Sequence, residues 1–402
     1  MKILFVVPYV PNLIRVRPYN MIKSLSDLGN DVTVLTLFVN QDDQKDIERL
    51  KAICSEVIAT KMPVWRSLLN SLKALFTKSP LQSFYSWNPA LIDLVPNIEN
   101  FDVVHVEHLR GSKYALHIKE NYNVPVVWDS VDCISHLFDQ AQKQTKSFFG
   151  SLITKLDLNR TKIYEGWLIH QFSKVLVTSQ VDKEALENLS EGSVNDSQIC
   201  VLPNGVDLEY FQPDPNQERE VATLVVTGKM SYHANVTMVL NLIKKIMPMI
   251  WETKPNVKLY VVGKDPSSDI QEAGKDPNIV VTGTVDDMRP YLHKATVAVA
   301  PVVYGAGIQN KVLEAMACGT PVVTTTQSAQ SIAAIPDKEF CVAENNEAFA
   351  HKTLALLNDN QYASEVGEAG YAFMKRNHDW EMIAAKLEEV YDGIIYGQRQ
   401  LT

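Results

Sequence analysis

The stretch GAGIQNKVLEAMACGTPVVTTT, residues 305–326, reads as a glycine turn, a helix and a buried strand in succession. Gly305 and Gly307 permit a tight turn with exposed backbone N–H groups, and the helix that follows offers its free N-terminal donors to the same point. Lys311 falls in the first helical turn, where the macrodipole disfavours a cation unless an anion sits beside it. With Ile308 and Asn310 between them, these residues make a candidate phosphate cradle. Glu314 lies three residues on, on the same face, and a carboxylate there suits the adjacent hydroxyl donors of a ribose. The same spacing fits a plain surface ion pair between Lys311 and Glu314. Ala315, Ala317 and Cys318 are small enough for close packing on a sheet, and Gly319 before Pro321 stops the helix.

The alternation of short apolar runs with amphipathic ones extends from this stretch through the whole chain and predicts a doubly wound α/β protein. In the first half, 2–8, 31–37, 102–108, 125–131 and 174–179 read as buried parallel strands. The rhythm restarts with 223–228, 258–263, 279–283, 296–301 and 321–326. Between the two sets, 203–220 is rich in Pro, Asn, Asp and Glu and reads as a linker. The expectation is two Rossmann-like domains facing each other across a cleft, 1–205 and 206–379, with a C-terminal helix at about 380–402 packed back on the first. A chain of 402 residues is long enough for both.

Composition narrows the function. The net charge is −9, nearly balanced over 1–205 and acidic over 206–402, which excludes a nucleic-acid binder with a basic face. Five scattered cysteines form no Cys-x-x-Cys pair and no Cys/His cluster, so neither a disulfide framework nor a zinc site is expected, and a cytoplasmic setting fits. The opening MKILFVVPYVPNLIRVRPY starts like a signal peptide but continues with prolines and arginines, so a first buried strand is the economical reading. Nowhere do 18 apolar residues run together.

Ligands of such sheets bind beyond the carboxyl ends of the strands. After the first strand there is no Gly-x-Gly-x-x-Gly, which argues against a dinucleotide site, whereas Arg15 and Arg17 could hold an anion or stand solvated in the loop. The later strands of this half end in His108 with Arg110, and in Asp129 with Asp132; Asp132 suits a sugar hydroxyl or a helix cap equally. His105 alternates within an apolar strand and reads as a core residue. In the second half the first strand ends in Gly228-Lys229, so two lysines, Lys229 and Lys311, follow two strands of one sheet. No acidic residue lies between Glu56 and Asp93, and within that basic stretch 65–76 has Trp65, Leu68, Leu69, Leu72, Leu75 and Phe76 at helical spacing. Such a helix lies at an anionic membrane interface or covers its own core.

PNGVDLEYF at 203–211, the Gly-Lys after the next strand, KLYVVGKDP at 258–266 and the run from 280 to 326 resemble the family-4 retaining glycosyltransferases of GT-B fold. The resemblance implies a nucleotide sugar, most commonly a UDP-sugar, bound by the second domain, and a glycan or lipid-linked acceptor at the first. It implies base contacts around Gly263, Thr284 and Val285, ribose on Glu314, and diphosphate on Gly228, Lys229 and the 305–311 turn. No carboxylate pair such as Asp-x-Asp follows a strand in a magnesium-like context, so no metal is implied, and no cofactor is expected. The chain departs from the family pattern at Asn235, where a second basic residue is usual, at Ala306, where a first glutamate is usual, and at Val131, where a histidine is usual. Lys311 is the candidate for the missing charge, and Lys229, Lys311, Asp132 and His108 are the candidate catalytic set. A nucleotide-sugar epimerase of the same architecture and a non-catalytic relative are the alternatives.

Overall fold

The computed structural model describes all residues except 145–147, 306 and 400–402, with the side chains of 141–156 and 398–399 also outside the description. The expected substitution at Ala306 therefore lies outside the described residues. The chain divides into two compact units, Met1–Asn204 with Trp380–Thr402, and Gly205–Asp379.

The first unit is built on a parallel sheet of β1 (Lys2–Val7), β2 (Asp31–Phe38), β3 (Glu56–Lys61), β4 (Val103–Glu107), β5 (Val126–Val131), β6 (Lys174–Val177) and β7 (Ile199–Val201), in the order β3-β2-β1-β4-β5-β6-β7. Strand β1 reads as a continuous apolar run because helices cover both its faces. Leu4 and Val6 pack on one side with Val106, Leu109 and Ala115. Ile3, Phe5 and Val7 pack on the other with Ile383, Leu387 and Tyr391 of the helix Trp380–Arg399. Two long-range hydrogen bonds tie that helix down: Tyr391 Oη to His105 Nδ1 at 2.8 Å, and Asn30 Nδ2 to Glu388 Oε1 at 2.6 Å.

The second unit repeats the plan with β8 (Thr223–Thr227), β9 (Lys258–Val262), β10 (Ile279–Gly283), β11 (Val297–Ala300), β12 (Val322–Thr325) and β13 (Cys341–Ala343), in the order β10-β9-β8-β11-β12-β13. In each sheet the winding reverses beside the first strand, between β1 and β4 and between β8 and β11. Those are the switch points where loops diverge and leave a crevice for a ligand.

Three strands escaped the sequence pattern: β3, β7 and β13. All are sheet edges; β3 is only half-buried, and β7 and β13 have three residues each, so none carries a long apolar run. The supposed linker is also more ordered than its composition suggests. Val206 pairs with Asp379, and Arg219 donates to the carbonyls of His293, Ala295 and Gly319 at 3.1, 2.8 and 2.7 Å, so most of 205–220 is fastened to the second unit.

Candidate functional site

At the second switch point the chain leaves β8 through Gly228 and Lys229. Gly228 has φ +149°, and a Cβ at Gly263 would stand 1.8 Å from the Gly228 carbonyl oxygen, so both positions require glycine for the loops to touch. Asn235 is buried and donates its amide to the Lys229 carbonyl at 2.9 Å. Its amide nitrogen holds the loop that carries Lys229 in place. The Lys229 side chain is exposed beyond it.

From β11 the chain runs through Tyr304, Gly305 and Gly307 into the helix Asn310–Ala317. Tyr304 Oη meets His233 Nδ1 at 2.8 Å and the two rings stack, so this loop is clipped to the helix that follows β8. Gly307 takes φ +64°, while the Ile308 side chain is buried in the unit's core, which leaves only its backbone for a ligand. Gln309 at the N-cap makes no side-chain cap bond, and the first turn has no acidic residue. At the other end Gly319 N–H reaches the Met316 carbonyl and Thr320 N–H that of Ala315, a Schellman closure with Gly319 at φ +66°.

Lys311 is half-buried, borders a small void beside Thr227 and Ala300, and donates to Gln309 Oε1 at 2.9 Å. Burial pulls its pKa down to about 8, with Glu314 opposing. Burial pushes half-buried Glu314 up to about 7, with Lys311 opposing. Neither lies on the open surface that a plain surface ion pair implies. Gly263, Thr284 and Val285 follow β9 and β10; Thr284 is exposed and Val285 packs against the core.

The first unit holds Arg17 and Asp129 in its interior. Arg17 is 4% exposed; its Nε and Nη2 both lie 2.9 Å from Asp129 Oδ2, and its Nη1 donates to the Leu202 carbonyl at 2.9 Å and to Asn204 Oδ1 at 3.0 Å. Asp129 is fully buried, its second oxygen accepting from Val131 N–H at 3.0 Å. This pair bolts the first helix to β5 and the end of β7, so Arg17 is buried in the fold and not solvated in a loop. His105 is the core residue expected, stacked on Phe5 and bonded to Tyr391.

Arg15, His108 and Arg110 sit at the β1/β4 switch point together with two residues the sequence did not single out, Tyr9 and Glu107. Burial pushes Glu107 up to about 8, with Asp129 adding to it, and its carboxyl meets the Tyr9 hydroxyl. His108 has φ +66° and accepts from Arg110 N–H on Nδ1 at 3.2 Å; burial holds its pKa down at about 3, so the ring is neutral with a donor on Nε2. Val131, a β-branched residue, is held at φ +68° directly before Asp132. Left-handed backbone in such residues concentrates at working sites. Glu107 was open to discovery as an acid on the core-facing repeat of a strand; Tyr9 carried no signal beyond its position.

For Asp132 the structure removes the capping alternative. The helix Ile134–Gln144 is capped by Glu165, whose oxygens accept from Ile134 and Ser135 N–H at 2.9 and 3.0 Å. Asp132 instead accepts from Thr178 Oγ1 at 3.1 Å, and burial together with Asp182 raises it to about 7.

The helix predicted at 65–76 spans Val64–Leu75, and it is turned inside out. Its buried residues are Ser67, Asn70 and Ala74, with Asn70 donating to the Trp87 carbonyl at 2.8 Å. Trp65, Leu68, Leu69, Leu72 and Leu75 face outward, and Phe76 beyond them is 86% exposed. Of the two sequence readings, covering its own core is the one the structure rejects. Among the described residues no helix is long and apolar enough to cross a membrane.

Two parallel sheets with paired switch points define the class, the GT-B glycosyltransferase fold. Sucrose-phosphate synthase of Thermosynechococcus elongatus matches 99% of this chain and 100% of its own at TM-score 0.73 and 17% identity. Anabaena HepE in complex with UDP matches 98% and 100% at TM-score 0.70 and 14% identity. The chain belongs to the family-4 glycosyltransferases: the family described as Glycosyltransferase Family 4 matches residues 15–210, and Glycosyl transferases group 1 matches 221–359. The gpi3 subunit of the Schizosaccharomyces pombe phosphatidylinositol N-acetylglucosaminyltransferase is 22% identical over 94% of this chain and 76% of its own.

Proposed function

We propose that this glycosyltransferase is a retaining, metal-independent hexosyltransferase that takes its sugar from a nucleoside diphosphate, UDP by preference, and passes it to a lipid-linked or glycan acceptor. The observation that carries the reading is the N-terminus of the helix Asn310–Ala317 after β11 at the β8/β11 switch point, with half-buried Lys311 in its first turn. Backbone donors, a dipole end and an ammonium converge there, as a diphosphate requires. Lys229 reaches the same crevice from β8, Glu314 takes the ribose hydroxyls, and the base lies toward Gly263, Thr284 and Val285. The Anabaena neighbour's complex with UDP supports uridine.

In the reaction the bond from the anomeric carbon to the diphosphate oxygen breaks while the acceptor oxygen bonds to that carbon from the same face. The acceptor proton passes to the departing phosphate oxygen. Lys229, Lys311 and the helix start stabilise the negative charge that develops there, a preorganised electrostatic task that cations already in the chain can perform. On the acceptor side His108 Nε2–H donates a hydrogen bond and Asp132 accepts one from a sugar hydroxyl.

The outward apolar face of Val64–Leu75, flanked by Lys61, Arg66, Lys73 and Lys78, supports a peripheral contact with an anionic membrane, at its cytoplasmic face. The phosphatidylinositol acted on by the yeast relative supports a lipid acceptor.

A thermal-shift screen of UDP-, GDP- and ADP-sugars tests the donor site, since a ligand at 100 times its dissociation constant stabilises by about 2.7 kcal/mol. Lys311→Ala and Glu314→Ala should each weaken the responding ligand about tenfold or more. Unchanged affinity in both variants sinks the assignment, and rapid donor turnover without acceptor marks an epimerase instead.

A further inference from the structure

The first unit holds a cavity of about 160 Å³ at the carboxyl ends of β1, β2 and β3, between those strands and the helix Val64–Leu75. Its polar wall comprises Tyr9, Arg15, Ser67, Tyr85, Ser86 and Arg110. The Arg15 guanidinium lies 4.3 Å over the Tyr9 ring and that of Arg110 lies 5.1 Å over Tyr85, so stacking fixes the direction of both forks. Neither arginine takes part in the ion pairs of the described residues, in which the paired arginines are Arg17, Arg49, Arg289 and Arg376. Arg110 Nε is buried with no hydrogen-bond partner, a donor whose isolation costs about 1–3 kcal/mol.

Asp43 and Glu107 support the charge on Arg15 from nearby, but neither is ion-paired with either arginine among the described residues. Asp43 lines the cavity, but its Oδ2 accepts from the backbone N–H groups of Val39 and Asn40 at 2.7 and 3.2 Å, capping its own helix. Glu107 sits behind Tyr9 with its pKa raised to about 8 by burial, so it carries a proton near neutrality. A cavity near 150 Å³ accommodates a benzene ring, which leaves room here for a tetrahedral oxyanion and the start of the group attached to it. Two guanidinium forks flanked by hydroxyls fit several acceptor oxygens at once, the geometry of phosphate.

We infer that this cavity is a phosphate subsite that Arg15 and Arg110 build for the acceptor, and that the phosphate it takes belongs to a membrane lipid. The lipid source follows from the covering helix: Ser67 forms the cavity wall, while Leu68 and Leu72 on the same turns are exposed at 63% and 52%. One helix thus presents a polar face to the anion and an apolar face outward, which sets the cavity at headgroup depth when that face meets a bilayer. Naming the ligand as acceptor rests on the transferase reading; phosphate binding does not.

The test uses the full chain with inorganic phosphate and glycerol 3-phosphate as soluble probes, read by calorimetry. Arg15→Gln and Arg110→Gln should each weaken both about ten- to a hundredfold, with UDP affinity unchanged, and Arg110→Lys should fall between, retaining charge without the fork. In transfer assays the two glutamine variants should raise KM for a phospholipid acceptor in phosphatidylcholine vesicles and leave the donor KM alone. The double variant Leu68→Ser, Leu72→Ser should lose vesicle binding and retain glycerol 3-phosphate.

Wild-type phosphate affinity in both glutamine variants overturns the subsite. Intact vesicle binding and acceptor KM in the double serine variant overturns the lipid source and leaves a soluble phosphate ester as ligand. Failure of the transferase reading shows separately, as a loss of nucleotide-sugar response with phosphate binding intact.

Discussion

Lys311 and Glu314, one helical turn apart and both half-buried, each hold the other nearer its charged form against a burial that discharges both. Glu314 gains its proton as pH falls through about 7, and Lys311 loses its proton as pH rises through about 8. Donor affinity should therefore peak between those values and fall on both sides. In Glu314→Gln the acid limb should vanish. The alkaline limb should move to lower pH, because Lys311 has lost the charge that supports its proton. Isothermal titration of UDP across the neutral range reads both limbs, and a flat profile contradicts the pairing.

Gly263 and Gly283 both have positive φ, +146° and +67°, but only Gly263 is crowded, with the Gly228 carbonyl 1.8 Å from where a Cβ would stand. Gly263→Ala should cost about 3 kcal/mol or more, overpacking adding to backbone strain. At Gly283, where a Cβ meets nothing within 4 Å, alanine should cost only about 1–2 kcal/mol. Equal losses in urea denaturation would contradict the close approach of the two loops.

Arg17 should register in stability. Arg17→Met leaves Asp129 charged, buried and without its principal partner, at about 3–5 kcal/mol. Tyr391→Phe, which removes the hydroxyl on His105 Nδ1, should cost about 1–3 kcal/mol through the C-terminal helix. A variant Arg17→Met with normal denaturation and a raised acceptor KM would return Arg17 to the substrate.

Leu68 and Leu72 should behave in the opposite way. Because they are exposed, their replacement by serine should alter folding stability by no more than about 0.5 kcal/mol each while vesicle sedimentation drops. Core leucines lose about 2–5 kcal/mol on truncation, and a cost of that size would mean that the helix covers its own domain.

Much of the candidate site could be read in advance because its signals are local. The glycine turn, the helix start, Lys311, Glu314 and the Gly319 closure all fall within fifteen residues, where helical spacing and φ requirements operate directly. Strands β1, β2, β4, β5 and β6 announced themselves as continuous apolar runs, whereas the edge strands β3, β7 and β13 had no need of one. Arg17 lies inside the fold and not in an open loop, because a polar side chain near a strand end looks available until its partner is known. The partner of Arg17 lies 112 residues away.

Two parallel α/β units, the helix at 310–317 and the family motifs were all legible in the residues themselves, since period, turn chemistry and capping act over one or two turns of chain. Tertiary packing set the strand order, and with it that Lys229 and Lys311 follow the neighbouring strands β8 and β11 while Tyr9, Arg15, His108 and Arg110 gather at the β1/β4 switch point. It also decided which way the helix Val64–Leu75 faces. An amphipathic stripe records that one side differs from the other; only packing against Trp87 and the strand ends chose the polar side for the interior.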